Sequence, residues 1–97
     1  MHPERAPVRI GYSLAHGTLQ PGARSKRHRL GGSEVYYFVA GQGLFHAGEQ
    51  TCTVEAGTTV YVPSGVVQWV QNCGSDRLEF LCLVEPAWKS EGEEVLE

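Results

Sequence analysis

Residues 34–40 read EVYYFVA, a run dense in β-branched and aromatic side chains. This composition is typical of a β-strand. Successive side chains of a strand point to opposite faces, and both faces of this run are largely apolar. Both faces should therefore be covered. We expect one face to line a β-barrel. We expect the other face to contact a second sheet or a second copy of the chain, as in a homodimer.

Short segments of similar composition continue on both sides of this run. We expect strands at residues 8–19, 44–47, 51–55, 58–62, 66–71 and 77–84. Turn signals rich in Gly, Pro, Asn and Asp separate the segments at intervals of about 8–12 residues, which is typical of β-sandwiches and β-barrels. No stretch keeps apolar residues at helical spacing over the length of a helix. The sequence therefore predicts an all-β fold.

The length and the charges describe one small domain with oppositely charged ends. The chain has 97 residues, which predicts a single domain with its core at about 8–84 and a loosely ordered acidic tail at 89–97. Six of the eight basic residues lie in the first 30 positions, and five of the eleven acidic residues lie in 85–97. Two interpretations stay open. Both ends are solvated surfaces of opposite sign, or the basic end forms the mouth of the barrel and attracts an anionic ligand.

Cysteine usage and hydropathy point to a soluble protein of a reducing compartment. The three cysteines, Cys52, Cys73 and Cys82, have no regular spacing, unlike a secreted disulfide framework. The first ten residues lack the apolar core of a signal peptide, and no apolar run reaches membrane-spanning length. We therefore expect a cytoplasmic location and no membrane partner. The formal net charge of −3 argues against nucleic acid as the main partner.

Two spaced sets of residues carry a more specific signal. In the first set, Gly22 is followed by five residues and His28, then by Glu34 and Gly41. The glycines fall where a chain of short strands must reverse direction, often at positive φ. In the second set, residue 57 is a glycine, and the sequence Pro-Ser-Gly follows at 63–65, with an asparagine at 72.

Together these two sets resemble the paired motifs of the cupin family, whose members are small jelly-roll barrels of the double-stranded β-helix type. The resemblance covers residues 8–84, and eight of the ten defining positions match. The two departures are Leu30, where the family has the second His of its first motif, and Gln68, where the family has the His of its second motif.

The resemblance implies a divalent metal inside the barrel, held by the motif histidines and the motif glutamate. This chain keeps two of those four positions, His28 and Glu34. Leucine cannot bind a metal, and the amide oxygen of Gln68 is a weak, neutral ligand. A divalent metal of unknown identity, if present, would be held by His28, Glu34 and Gln68. His16 or His46 could supply a fourth group, although a surface or core-edge position for either is the simpler expectation.

Three interpretations of the His28 and Glu34 positions stay open. In the first, they and Gln68 still bind a metal. In the second, no metal binds, and the two form a hydrogen-bonded catalytic pair that acts as general acid and base while Gln68 contacts a polar ligand. In the third, the pair is structural and the protein works through its surface.

Other side chains are candidates for the wall of the pocket. Tyr36 and Phe38 share a face with Glu34, so we expect them to bind ligand with it. Arg24 and Lys26 share parity with His28 if the chain there is extended, and would then favour a carboxylate or phosphate. If residues 22–33 form a loop instead, that parity has no meaning.

The sequence thus predicts a homodimeric cupin that binds a small polar or anionic metabolite inside its barrel. The resemblance implies two enzyme classes for such a barrel, a sugar isomerase or epimerase and a metal-dependent dioxygenase. The depleted ligand set disfavours the dioxygenase. A non-enzymatic module for ligand sensing or interaction is the alternative outside the enzymes, because one fold hosts many functions.

Overall fold

The computed structural model describes residues 13–85 and 92–97. Its strands are β1 (Ser13–Leu19), β2 (His28–Leu30), β3 (Ser33–Ala40), β4 (Gln42–Ala47), β5 (Gln50–Glu55), β6 (Thr59–Val62), β7 (Gln68–Gln71), β8 (Leu78–Glu85) and β9 (Glu93–Val95). Every strand expected from the sequence is present within a few residues of its predicted bounds. The start of the first one, at residues 8–12, lies outside the described part of the chain.

The strands form two antiparallel sheets that face each other. One has the order β1-β8-β3-β6, and the other has the order β5-β4-β7-β2-β9. The predicted all-β jelly-roll architecture is confirmed. Among the described residues there is no helix with the length and apolar character needed to cross a membrane.

Strand β3 lies inside its sheet and shows the alternation that its sequence predicts. It pairs with β8 on one side and with β6 on the other. Glu34, Tyr36 and Phe38 are buried, whereas Tyr37 and Val39 on the opposite face are 46% and 41% exposed. The face that carries Glu34 is therefore the inner one.

One half of the space between the sheets is filled by aromatic rings. Tyr36, Phe38, Phe45 and Phe80 form a cluster with ring centroids 4.7–6.3 Å apart. Offset and edge-to-face contacts at this spacing are favourable. Cys82 packs against this cluster and also lines the cavity described below.

The glycine between β3 and β4 is required by its surroundings. Gly41 has φ +92°, and an added Cβ would lie 2.5 Å from the carbonyl oxygen of Arg77. Only glycine combines this backbone conformation with so close an approach. The four motif glycines all have positive φ: Gly22, Gly41, Gly57 and Gly65.

Strands β2 and β9 were not anticipated from the sequence. The expectation that the tail at 89–97 is loosely ordered is wrong for its described part, because β9 pairs with β2 along Glu93–Val95. Residues 86–91 lie outside the described part. The two charged ends meet on the protein surface, since the Arg29 guanidinium pairs with Glu94, and Arg24 and Arg27 pair with Glu97.

The outer face of the β1-β8-β3-β6 sheet exposes several large apolar side chains. They are Leu14, Tyr37, Val39, Tyr61 and Leu83. Homodimerisation through a sheet face stays a prediction. A monomeric mass by light scattering at micromolar concentration would contradict it.

Candidate functional site

A cavity of about 280 Å³, partly open to solvent, lies between the two sheets beside the aromatic cluster. At roughly 30 Å³ per water, this is space for about nine waters, which suits a small metabolite. Its walls are contributed by β1, β2, β3, β8 and β9, and most of their surface is apolar. The lining residues are Ser13, Ala15, His28, Leu30, Glu34, Cys82, Val84 and Glu93.

His28 opens strand β2 and faces this cavity. Its Nδ1 lies 2.8 Å from the carbonyl oxygen of Lys26. Because a carbonyl oxygen only accepts, Nδ1 must carry the hydrogen and donate it. In the neutral ring the lone pair is therefore on Nε2. A hydrogen bond of this kind fixes the tautomer and the orientation of the ring.

Glu34 enters the same cavity from β3 and is only 5% exposed. Its Oε1 atom is buried without a hydrogen-bond partner in the structure. Burial raises the pKa of this carboxyl above its ordinary value, and the neighbouring thiol of Cys82 and the imidazole of His28 offset part of the increase. An unpartnered buried oxygen is costly, so it is a natural contact for a ligand.

The structure brings His28 and Glu34 to one cavity, as the sequence predicted, but not into direct contact. The hydrogen bonds of the described residues include none between the two side chains, and the ring of His28 uses its Nδ1 on the backbone. The expected hydrogen-bonded pair is therefore not formed. The two groups are placed to contact a third molecule instead.

Gln68 and Tyr36 lie behind the cavity wall and satisfy each other. Gln68 is opposite His28 in the β2–β7 pairing and is 1% exposed. The hydroxyl of Tyr36 donates a hydrogen bond of 2.6 Å to its Oε1. Burial raises the pKa of Tyr36 well above its usual range, so the hydroxyl keeps its proton. The two residues support Glu34 from beneath.

The side chains present do not fit the divalent metal that the cupin resemblance implies. Leu30 is buried in the cavity wall and offers no donor atom. The amide oxygen of Gln68 accepts the hydrogen bond of Tyr36, and Gln68 is not among the residues that line the cavity, so of the three predicted ligands only His28 and Glu34 reach it. Within residues 13–85 and 92–97, no three His, Cys, Asp or Glu side chains are grouped to hold a metal ion. The predicted set of His28, Glu34 and Gln68 is not assembled.

Three other predicted ligand-binding residues lie away from the cavity. Phe38 is on the expected face, but its side chain is fully buried in the aromatic cluster. Arg24 forms two hydrogen bonds of 2.8 Å with Glu97 on the outside of the sheet. The backbone carbonyl of Lys26 accepts the hydrogen bond from His28, and Lys26 is exposed. The parity argument fails here because residues 22–27 form only an isolated bridge, not a strand.

His16 and His46, the two candidates for a fourth group, do not line the cavity. The Nε2 of His16 pairs with Glu79 at 2.6 Å on an exposed surface. The ring of His46 stacks on Trp69 with centroids 3.7 Å apart. Neither residue supplies a fourth group to His28 and Glu34.

Sequence reasoning missed five of the cavity residues. Ser13, Ala15 and Val84 alternate with outward residues on β1 and β8, so strand parity could have found them once those strands were paired. Burial raises the pKa of the Cys82 thiol, which also faces the cavity. For Glu93 the local sequence carries no signal.

Comparison with known proteins agrees with this architecture. The family model described as a cupin domain matches residues 15–84. The oxalate-binding protein of Thermotoga maritima is 33% identical over 72 residues, and the match covers 73% of this chain and 60% of that protein. The chain thus spans less than two thirds of that relative.

Two solved structures share the fold at lower identity. A Klebsiella pneumoniae protein with a double-stranded β-helix domain superposes with a TM-score of 0.81 at 20% identity, over 90% of this chain and 76% of that one. Oxalate decarboxylase of Bacillus subtilis, a protein with Mn(II) centres, superposes with a TM-score of 0.90 at 22% identity, over 99% of this chain and 26% of that one. At these identities the likeness concerns the fold alone.

Proposed function

Because the chain belongs to the cupin family, we propose that it binds a small polar or anionic metabolite, of the size of oxalate, in the cavity between its sheets. The cavity is far larger than a single water and has mostly apolar walls with a few polar groups. Small-molecule sites generally have this composition, in which the polar groups fix the orientation of the ligand.

One observation carries the proposal. His28 and Glu34 come from opposite sheets, and both face the same cavity with a polar atom that the protein does not use. These atoms are Nε2 of His28, left over by the hydrogen bond from Nδ1, and the unpartnered Oε1 of Glu34. A bound molecule that donates to these atoms, or that accepts from either group in its protonated form, would satisfy them together.

The class of ligand is suggested by a relative. The Thermotoga maritima protein that is 33% identical over 72 residues is an oxalate-binding protein. Protonated His28 could donate to a ligand carboxylate through Nε2. Because no Lys or Arg is among the described residues that line the cavity, His28 is the group there that can bring positive charge.

A resident metal is not part of the proposal, since the chain offers two strong ligands where the family uses four. The predicted dioxygenase activity therefore has no support in the donor set. Conversion of the ligand by His28 and Glu34, as in an isomerase or epimerase, stays a prediction. Binding without turnover, as in a sensing module, needs only the contacts described above.

Calorimetric titration with oxalate tests the proposal. We expect the purified protein to bind oxalate, and we expect His28→Ala to weaken binding by at least about tenfold, the value of one hydrogen bond to a charged group. His16→Ala is the matched control because His16 lies on an exposed surface with Glu79, and it should bind as the parent does.

Two results would contradict the proposal. One is the absence of binding by the parent protein at millimolar oxalate, glycolate and glycine. The other is equal binding by the His28→Ala and His16→Ala variants, which would place the ligand elsewhere. Elemental analysis of the same preparation should find no stoichiometric metal.

A further inference from the structure

Each of the two polar groups of the cavity has an aliphatic neighbour on its own sheet. Val84 is directly opposite Glu34 in the register of β3 and β8, and Leu30 follows His28 two residues along β2. Residues related in these ways share one face of a sheet, and all four line the cavity. Leu30 and Val84 are 6% and 8% exposed, so both belong to the buried part of the wall. A ligand held between His28 and Glu34 therefore meets aliphatic carbon on both sheets.

The other lining side chains leave the surroundings of this polar pair largely apolar. Ala15 presents a methyl group. Burial raises the pKa of the Cys82 thiol, which therefore stays neutral, and a neutral thiol behaves as a small apolar group. Ser13 and Glu93 each already have an interaction within the protein. The cavity thus offers one place for a polar group of the ligand and an aliphatic wall for the rest of it.

This wall discriminates against a second charge on the ligand. An ionised carboxylate that is buried against Leu30 and Val84 loses its hydration without gaining a partner there, which is costly. No Lys or Arg is among the described residues that line the cavity. An aliphatic group in the same place gains from burial instead, and each buried methylene group strengthens binding by about fourfold.

We propose that Leu30 and Val84 are specificity-determining residues that make the cavity select a small monocarboxylic acid with a short, branched aliphatic chain over a plain dicarboxylate. This inference rests on the proposed function. The acid group of the ligand lies between Nε2 of His28 and Oε1 of Glu34, where either group in its protonated form donates to it. The chain lies between Leu30 and Val84, and the cavity of about 280 Å³ has room for both parts.

Calorimetric titration of the full chain with isobutyrate and oxalate near neutral pH tests the inference. Isobutyrate has the same number of non-hydrogen atoms and the same branching as oxalate, with two methyl groups in place of one pair of carboxylate oxygens. The parent should bind isobutyrate at least about fourfold more tightly, the value of one buried methylene group.

A valine-to-threonine substitution changes the wall while keeping its shape. Val84→Thr replaces one methyl group by a hydroxyl, and it should lower the preference for isobutyrate by at least about threefold. Val54→Thr is the matched control, because Val54 is 2% exposed in the hydrophobic core and does not line the cavity. The preference should change less than about twofold in this control.

Position 30 supplies a second pair of variants. Leu30→Asn places an amide of similar size in the wall and should also lower the preference for isobutyrate. Leu30→Met keeps the wall apolar at similar volume and should retain the preference. A role in folding alone would change the affinities for the two acids by the same factor, and their ratio would stay constant.

Three results would overturn the inference while leaving the proposed function intact. The first is tighter binding of oxalate than of isobutyrate by the parent. The second is an unchanged ratio of affinities in both Val84→Thr and Leu30→Asn, and the third is an equal decrease in Val84→Thr and Val54→Thr. The absence of binding of both acids by the parent would overturn the proposed function, and this inference with it.

Discussion

Replacing Leu30 by histidine should create a metal site in this cavity. Residues 28 and 30 are two apart on one strand and line the same cavity. A histidine at 30 would add an imidazole on the same face as His28 and next to Glu34. Two imidazoles and one carboxylate are a sufficient protein ligand set for catalytic-type zinc, which leaves its fourth position to water. The substitution supplies the second motif imidazole, which this chain lacks because position 30 is a leucine.

The size of the effect follows from burial and from mass action. Leu30 is 6% exposed, and burying a leucine contributes about 1.5–3 kcal/mol. Without metal, the variant should lose a similar amount of unfolding free energy. For a domain of this size that lowers Tm by roughly 10 °C. Zn²⁺ at 100 times its Kd should then add about 2.7 kcal/mol and restore most of the loss.

The assay is urea unfolding with excess Zn²⁺ and with a chelator, accompanied by elemental analysis. Leu30→Asn is the matched control, because it introduces a polar side chain at the same place without an imidazole. We expect the histidine variant alone to hold about one zinc per chain and to be stabilised by it. If both variants respond equally to Zn²⁺, His28 and Glu34 do not converge as described. If the parent already holds one zinc per chain, our conclusion about the donor set is wrong.

Two further predictions concern the groups beneath the ligand. Burial raises the pKa of Glu34, so the folded state holds its proton more tightly, and stability is lost as pH rises through the folded-state pKa. The Tm of Glu34→Gln relative to the parent should therefore rise from pH 4.5 to pH 8; a constant difference would contradict this. Tyr36→Phe leaves the buried amide oxygen of Gln68 without its donor, which should cost about 1–3 kcal/mol in urea unfolding. Tyr61→Phe, 63% exposed, is the control, and equal midpoints for the two variants would refute the role of that hydrogen bond.

The strands that could be predicted from the sequence are those whose own residues have the composition and alternation of a strand. Residues 34–40 alternate between faces because each residue type suits a strand packed on both sides, and the structure buries Glu34 and Tyr36 on one face. How deeply a residue is buried depends on residues that are distant from it in the sequence. Phe38 shares that face, yet it packs into the aromatic cluster, because the rings of Phe45 and Phe80 fill that half of the interior. The two-residue period of a strand shows which face of the sheet a side chain lies on. It does not show whether that side chain reaches a cavity.

The short strands β2 and β9 depend on each other, which is why neither was visible in the sequence. Each has three residues, and neither has a pronounced alternation of its own. They pair through their backbones across about 65 residues of chain, and exposed ion pairs such as Arg29 with Glu94 accompany that pairing. Read separately, basic and acidic segments look like solvated surfaces. Only the pairing register shows that they form one edge of the sheet.

That pairing also decides the charge inside the cavity. The side chains of Arg24, Arg27 and Arg29 are held on the outside by Glu94 and Glu97, and the hydrogen bond with Arg24 lowers the pKa of Glu97 to about 2. Glu97 is therefore ionised around neutral pH. Arg24, Arg27 and Arg29 thus pair with Glu94 and Glu97, and none of the three arginines is among the residues that line the cavity. Strand β9 instead adds the side chain of Glu93 to the lining.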